Sequence, residues 1–219
     1  RRKDEFLAML GHELRNPLAP IVNAVHVLRS ESNADPLQQR PWAIIQRQVA
    51  QLTRLVDDLM DVSRIGAGMV QLHLEDVTMS DVVKRAVDVV RHLIDQRQHG
   101  LTVSLPPQPI RFRADGTRLE QMIVNLLTNA AKYTEPGGKI WLSVAPEGSD
   151  CVLRVRDTGT GIAPDFLPHV FDFFTQADRS LARSQGGLGI ELALVKRLVE
   201  MHNGRVEARS TLGQGSEFI

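Results

Sequence analysis

Apolar residues recur along the first part of the chain at Leu7 and then at Leu14, Leu18, Ile21, Val25 and Leu28. The last five step by four, three, four and three, which is the seam of a heptad rather than a loose amphipathic face. The spacing predicts a helix from about Asp4 to Arg29. Residues 30–41 then collect Ser, Asn, Asp and two prolines, the composition of a connection between helices. A second seam, Ile45, Val49, Leu52, Val56 and Leu59, widened by Leu55 and Val62, predicts a second helix. An isolated hairpin leaves most of both stripes wet. The economical cover is a second copy, giving a four-helix bundle about a two-fold axis. Packing of the hairpin on the rest of its own chain is the alternative, and the homodimer is preferred.

The periodicity breaks at Ile65, Gly66, Ala67 and Gly68, the best domain boundary in the sequence. Beyond it the pattern alternates like a strand over residues 70–77, and Ser80 is placed to cap a helix reaching about Gln98, with Gly100 ending it. Short strand-like runs at 101–105, 110–113, 139–144 and 151–156 surround a helix from about Thr117 to Tyr133. A helix over about Glu191–His202 precedes strands near 205–209 and 216–219. The expected organisation is a helical hairpin for dimerisation at 1–66, a linker and first strand at 67–78, and an α/β sandwich at 79–219. Its helices lie on one face of a mixed, largely antiparallel sheet.

Composition narrows the function. The 219 residues carry 26 Lys plus Arg against 26 Asp plus Glu, with 5% aromatics. They supply neither the basic field nor the stacking platforms that nucleic acids require, so no nucleic-acid partner is expected. The single cysteine, Cys151, excludes an internal disulfide and a Cys-rich metal site, and fits a reducing compartment such as the cytoplasm. No apolar run approaches the ~18–20 residues of a membrane span, so no membrane contact is expected of this stretch. The chain opens at Arg1 without a signal-like segment, and its last strand is unfinished at Ile219, features that read as a piece of a longer protein.

Three groups of residues carry candidate chemistry. Asp157, Gly159, Gly161 and Ile162 stand where a strand ends. An acidic acceptor beside backbone that a ring can approach closely suits the amino group of adenine, although an ordinary turn has the same composition. Gly186, Gly187, Leu188 and Gly189 run into a helix start, where backbone N–H groups and the helix dipole favour an anion; a plain linker is the other reading. Asn125, Asn129 and Lys132 fall at i, i+4 and i+7 of one helix, a face that suits a metal-bound triphosphate as well as it suits solvent.

In order and spacing, LEQMIVNLLTNAAKYT, DTGTGIAP, FDFFTQAD, GGLGIELALVKRLVEMHNG and GQGSEF resemble the N box, first glycine box, F box, second glycine box and third glycine box of the sensor histidine-kinase ATP-binding domain. FLAMLGHELRNPLAPI is similar to the phosphoacceptor box of the same family. The resemblance implies a Bergerat-type ATP-binding fold behind a dimeric phosphoacceptor hairpin. Its implied activity is an ATP-dependent protein-histidine kinase of two-component signalling, with ATP and Mg2+ as cofactors and the receiver domain of a response regulator as partner.

Residue by residue, the resemblance implies that His12 is the phosphorylated nucleophile, with Glu13 accepting a hydrogen bond from one ring nitrogen. Asn16 would hold a water for removing phosphate from the regulator, and Pro17 would permit a bend. Asn129 would hold Mg2+, Asn125 and Lys132 would face the phosphates, and Tyr133 would pack near the base or ribose. Asp157 would read the adenine amine from the turn of Gly159, Gly161 and Ile162, and Gly187, Leu188 and Gly189 would form the phosphate cradle. Phe171 and Phe174 would anchor a lid over residues 175–186, short as in hybrid kinases that carry their own receiver, in which Arg183 either approaches phosphate or is solvated. The hydrolysing relatives place a glutamate base where this chain has Asn125. The amide takes no proton, which favours transfer to histidine over loss to water.

The pattern departs at Glu191, where the second glycine box usually has glycine. A carboxylate there stabilises the helix start by ~0.3–1 kcal/mol but opposes a triphosphate. Asn203 also replaces a glycine, and Asn tolerates the left-handed conformation. These features leave three functional readings: a histidine kinase, a degenerate kinase core that acts as a dimeric interaction module, and an ATPase switch of the gyrase type. The last is disfavoured by Asn125 and by the presence of a phosphoacceptor box.

Overall fold

The computed structural model describes residues 18–25, 28, 42, 44–46, 48–49, 52–53, 56, 60, 71–173, 175 and 189–219. The chain divides into two compact units, with the boundary between residues 69 and 70. In the first unit, the described residues 18–25 and 28 are helical, as are those from Trp42 to Met60. Among the described residues of this unit, the seam positions Leu18, Val25, Val49 and Val56 are exposed, Ile21, Leu28, Ile45 and Leu52 are half-buried, and Ala24 is buried. The predicted connection at 30–41 and the boundary at 65–68 lie outside the described residues.

The second unit runs β1 (Glu75–Thr78), α1 (Met79–Gln96), β2 (Gly100–Ser104), β3 (Arg111–Ala114), α2 (Gly116–Tyr133), β4 (Lys139–Glu147), β5 (Asp150–Asp157), α3 (Glu191–Met201), β6 (Ala208–Thr211) and β7 (Gly215–Phe218). A 3-10 turn at Leu167–His169 falls between β5 and α3. β2, β4, β5, β7 and β6 lie in that order in one five-stranded sheet, and β1 with β3 forms a separate antiparallel pair. Only β2 on β4 is parallel within the larger sheet; the other pairings are antiparallel.

The core forms where the helical period of 3.6 meets the strand period of two. α1 buries Val82, Val83, Ala86, Val87, Val90 and Ile94; α2 buries Met122, Ile123, Leu126, Leu127, Ala130 and Ala131. These stripes close over Ile140, Leu142, Val144, Val155 and Phe218 of the sheet, with Leu194 and Leu198 of α3 filling the remaining side. Each fully buried Leu or Ile contributes ~1.5–3 kcal/mol relative to exposure. On the opposite sheet face the pairing of Trp141 with Arg156 places the guanidinium 5.6 Å from the indole centroid.

Three local expectations are corrected. α1 starts at Met79, and its N-cap position is Thr78 without a side-chain cap, so Ser80 lies inside the first turn. The helix ends through Gln98 at φ 56 rather than through Gly100, which opens β2. Residues 71–74 alternate in hydropathy but pair with no strand, so β1 is confined to 75–78; the strand expected near 205–209 is likewise displaced to 208–211.

Candidate functional site

Asp157 ends β5 and is 5% exposed. Glycines in and beside the turn behind it admit neighbouring backbone, Gly159 lying against the Tyr133 carbonyl. Gly161, at φ 67, lies against the Thr211 carbonyl, and Gly215, at φ 96, against that of Asp157; a Cβ at either would collide. The first and third glycine segments are thereby pressed together. Gly213 N–H donates to Thr160 O at 2.7 Å, and Ile162 N–H to Ser210 Oγ at 2.8 Å. Ser210 Oγ in turn donates to Gly215 O at 2.8 Å and lies 3.0 Å from Ser216 Oγ.

This junction orients the Asp157 carboxylate. Its Oδ1 accepts both the Gly159 N–H at 2.8 Å and the Ser216 N–H at 3.2 Å. With both backbone donors on one oxygen, Oδ2 is left for a donor from outside. Burial pushes the carboxyl above its ordinary range, and the bonds from Gly159 and Ser216 pull it back. Such a group suits an amino donor that arrives on a flat ring.

The same turn abuts the end of α2, where Thr160 N–H donates to Tyr133 O at 3.1 Å. α2 starts at the N-cap Asp115, whose side chain accepts from Arg118 N–H, and presents Asn125, Asn129 and Lys132 along one face. Asn125 Nδ2 is buried without a hydrogen-bond partner. An orphaned amide donor fits a phosphate oxygen; turned over, the amide offers an oxygen to a hydrated cation. Lys132 Nζ lies 5.1 Å from the centroid of the exposed Tyr133 ring. Among the described residues no three His, Cys, Asp or Glu side chains gather as a metal site.

The carbonyls that end α2 are held from a distance in sequence. Arg97 Nη1 donates to Ala131 O at 3.3 Å and to Lys132 O at 3.1 Å. The buried His99 places Nε2 3.2 Å from both Thr134 O and Glu135 O, so that nitrogen carries the proton and serves both. Arg97, His99 and Ser210 belong to none of the sequence motifs. The usable signal was the need of a helix end for donors, which local patterns do not assign to particular residues.

α3 packs against α2. It follows Gly189, at φ 65, and has Ile190 at its N-cap position. Glu191 folds back so that Oε2 accepts from Ile190 N–H at 3.1 Å. The backbone donor next after the expected cradle of Gly187, Leu188 and Gly189 is thus engaged by the chain's own carboxylate. Phe171 meets Phe218 edge-on, with ring centroids 6.2 Å apart. Asn203 adopts φ 60, in the left-handed region.

The second unit therefore brings Asp157, Gly159, Gly161, Ile162 and Tyr133 into one neighbourhood, with Asn125, Asn129, Lys132 and Gly189 on the packed helix pair or at its start. His12, Glu13, Asn16 and Pro17, and Phe174, Arg183, Gly187 and Leu188 with most of the expected lid, lie outside the described residues. Among the described residues no helix is long and apolar enough to cross a membrane.

Comparison with known proteins gives matches to two family models. Residues 2–68 match the His Kinase A (phospho-acceptor) domain, and residues 114–219 match the histidine kinase-, DNA gyrase B- and HSP90-like ATPase. The circadian input-output histidine kinase CikA of Synechococcus elongatus is 37% identical over 99% of this chain and 29% of its own length. The sensor protein DivL of Caulobacter vibrioides is 35% identical over 100% of this chain and 28% of its own. The chain thus spans less than a third of either relative. Among solved structures, full-length ShkA in complex with AMPPNP superposes with a TM-score of 0.71 at 29% identity, covering 98% of this chain and 44% of that one. The Acinetobacter baumannii histidine kinase AdeS gives a TM-score of 0.70 at 24% identity, over 94% of this chain and 95% of its own, a likeness of fold.

Proposed function

Because this chain belongs to the sensor histidine kinase family and carries that family's catalytic core, we propose that it is an ATP-dependent protein-histidine kinase that phosphorylates its own His12. It then passes the phosphoryl group to an aspartate on the receiver domain of a response regulator. The observation that carries the reading is the Asp157 carboxylate, held through one oxygen by donors from two glycine segments with the other oxygen open.

In this reading Asp157 Oδ2 accepts from the adenine amino group, and Tyr133 packs against the base or ribose. Lys132 and the backbone N–H groups of residues 187–189 receive the phosphates. Asn129, with Asn125 beside it, holds Mg2+, which supplies charge neutralisation. Magnesium keeps most of its water shell, so one amide oxygen suffices as a protein ligand. A His12 ring nitrogen, freed of its proton while Glu13 accepts a hydrogen bond from the other nitrogen, attacks the γ-phosphorus. The N–P bond forms as the bond to the ADP oxygen breaks. Asn125 has no basicity with which to activate water. The exposed apolar positions Leu18, Val25, Val49 and Val56 support a homodimer through the hairpin.

One observation favours a second reading, a degenerate core that signals through dimerisation: Glu191 occupies the Ile190 N–H. Incubation with γ-labelled ATP separates them. Acid-labile label on the wild type that is lost in His12→Gln supports the kinase. An unlabelled but intact dimer supports the degenerate core, and steady phosphate release without labelled protein supports an ATPase.

A further inference from the structure

The chain reaches the second unit through residues 71–74, which pair with no strand yet are fastened at two points. Arg113 Nη2 donates to Leu74 O at 3.3 Å, and His73 N–H donates to Asp115 Oδ2 at 3.0 Å. Asp115 is 6% exposed, and its other oxygen, Oδ1, caps α2 by accepting from Arg118 N–H at 3.0 Å. Its backbone N–H donates to His202 Nε2 at 3.2 Å. That nitrogen therefore carries no proton, and His202 Nδ1–H donates to Leu198 O at 2.8 Å, one turn back at the end of α3. One buried carboxylate residue thus joins the lead-in segment, the start of α2 and the end of α3.

Those two helices carry the residues of the proposed nucleotide site: Asn125, Asn129 and Lys132 on α2, and Glu191 at the start of α3. Resting on that proposed function, we infer that Asp115 is a positioning residue that couples residues 71–74 to nucleotide binding, with His202 as its link to α3. The division of labour between the two oxygens makes the coupling specific. Oδ1 serves the helix and Oδ2 serves the lead-in, so the segment can be released while the cap survives. By linkage, whatever tension on residues 71–74 does to nucleotide affinity, bound nucleotide must do in return to the His73 hydrogen bond.

The test uses the full chain. Amide hydrogen exchange is followed residue by residue by NMR with and without a non-hydrolysable ATP analogue, alongside the dissociation constant and the melting temperature. Asp115→Ser retains a good N-cap for Arg118 N–H but is too short to reach His73 as well. His73→Pro removes the donor and leaves Asp115 intact. In the wild type, nucleotide is expected to slow exchange at His73 by threefold or more. Both variants are expected to bind nucleotide 3- to 10-fold more weakly, and Asp115→Ser is also expected to lose the exchange response at Leu74 and Glu75. A merely structural Asp115 would lower the melting temperature and leave that response in place, which overturns the inference. So does a wild type that binds nucleotide with unchanged exchange at His73, or a His73→Pro variant that binds as the wild type does. A wild type that binds no nucleotide overturns the proposed function, and this inference with it.

Discussion

Replacing Glu191 by glycine tests the proposed phosphate cradle most directly, because the carboxylate is engaged on the chain's own backbone. Its Oε2 takes the Ile190 N–H, and the variant removes both that acceptor and a negative charge at the helix start. Freeing one backbone donor for a phosphate oxygen is worth about 1 kcal/mol net. Removing a unit charge about 4 Å from a phosphate contributes about 1 kcal/mol more in a water-like dielectric. Together, about 2 kcal/mol corresponds to roughly 30-fold tighter ATP binding. The charge alone, isolated by Glu191→Gln, accounts for roughly fivefold. Stability moves the other way. Losing the helix-dipole partner and adding a glycine to the first turn costs about 1 kcal/mol. The expected fall in Tm is about 2–4 °C for a domain of this size. Titration of a fluorescent ATP analogue at low and high salt measures both parts, and the charge contribution must shrink as salt rises. Equal affinities for wild type, Glu191→Gln and Glu191→Gly at low salt would falsify the reasoning.

Asp157→Asn keeps an oxygen for Gly159 and Ser216 but turns an NH2 donor toward the adenine amine, so ATP affinity should fall at least tenfold by calorimetry. Burial raises the Asp157 pKa, so at pH values between the unfolded and the native pKa the native state binds a proton that the unfolded chain releases. The stability from this group is present below the unfolded value of about 3.9 and is lost as pH rises through the raised native value. The nucleotide-free Asn variant is therefore expected to be as stable as wild type, or more so, at neutral pH in urea unfolding, and a large loss would show that Asp157 is held mainly for the fold. Gly161→Ala meets the Thr211 carbonyl at φ 67 and should cost more than about 2 kcal/mol, whereas Gly137→Ala, at φ 81 in open space, should cost about 1 kcal/mol. Urea midpoints that rank the two in the opposite order would contradict the packing described for the junction.

The helices were legible because their apolar spacing is local: α2 and α3 fall within a residue of their expected bounds, since Leu126, Leu127, Leu194 and Leu198 mark the period. β6 was displaced because Ser210 and Thr211 lie on a polar strand, while the apolar Val206 just before it drew the expectation upstream. The parallel pairing of β2 with β4 leaves no mark in either strand's sequence. In the candidate site, Asp157 and its glycines could be read from a short motif. Their partners could not: Ser216 lies 59 residues away, His202 lies 87 residues from Asp115, and Arg97 reaches its helix end across 34 and 35 residues. Such bonds depend on how the elements stack, and the residues that make them are individually ordinary.

The junction between the first and third glycine segments also sets an order of events on the ribosome. Asp157 gains its second backbone donor only when Ser216 arrives, and Gly161 has nothing to rest on before Thr211 is in place. Domains form from the N-terminus as the chain emerges, so residues 2–68, which match the phospho-acceptor domain, leave the ribosome well before this junction can close.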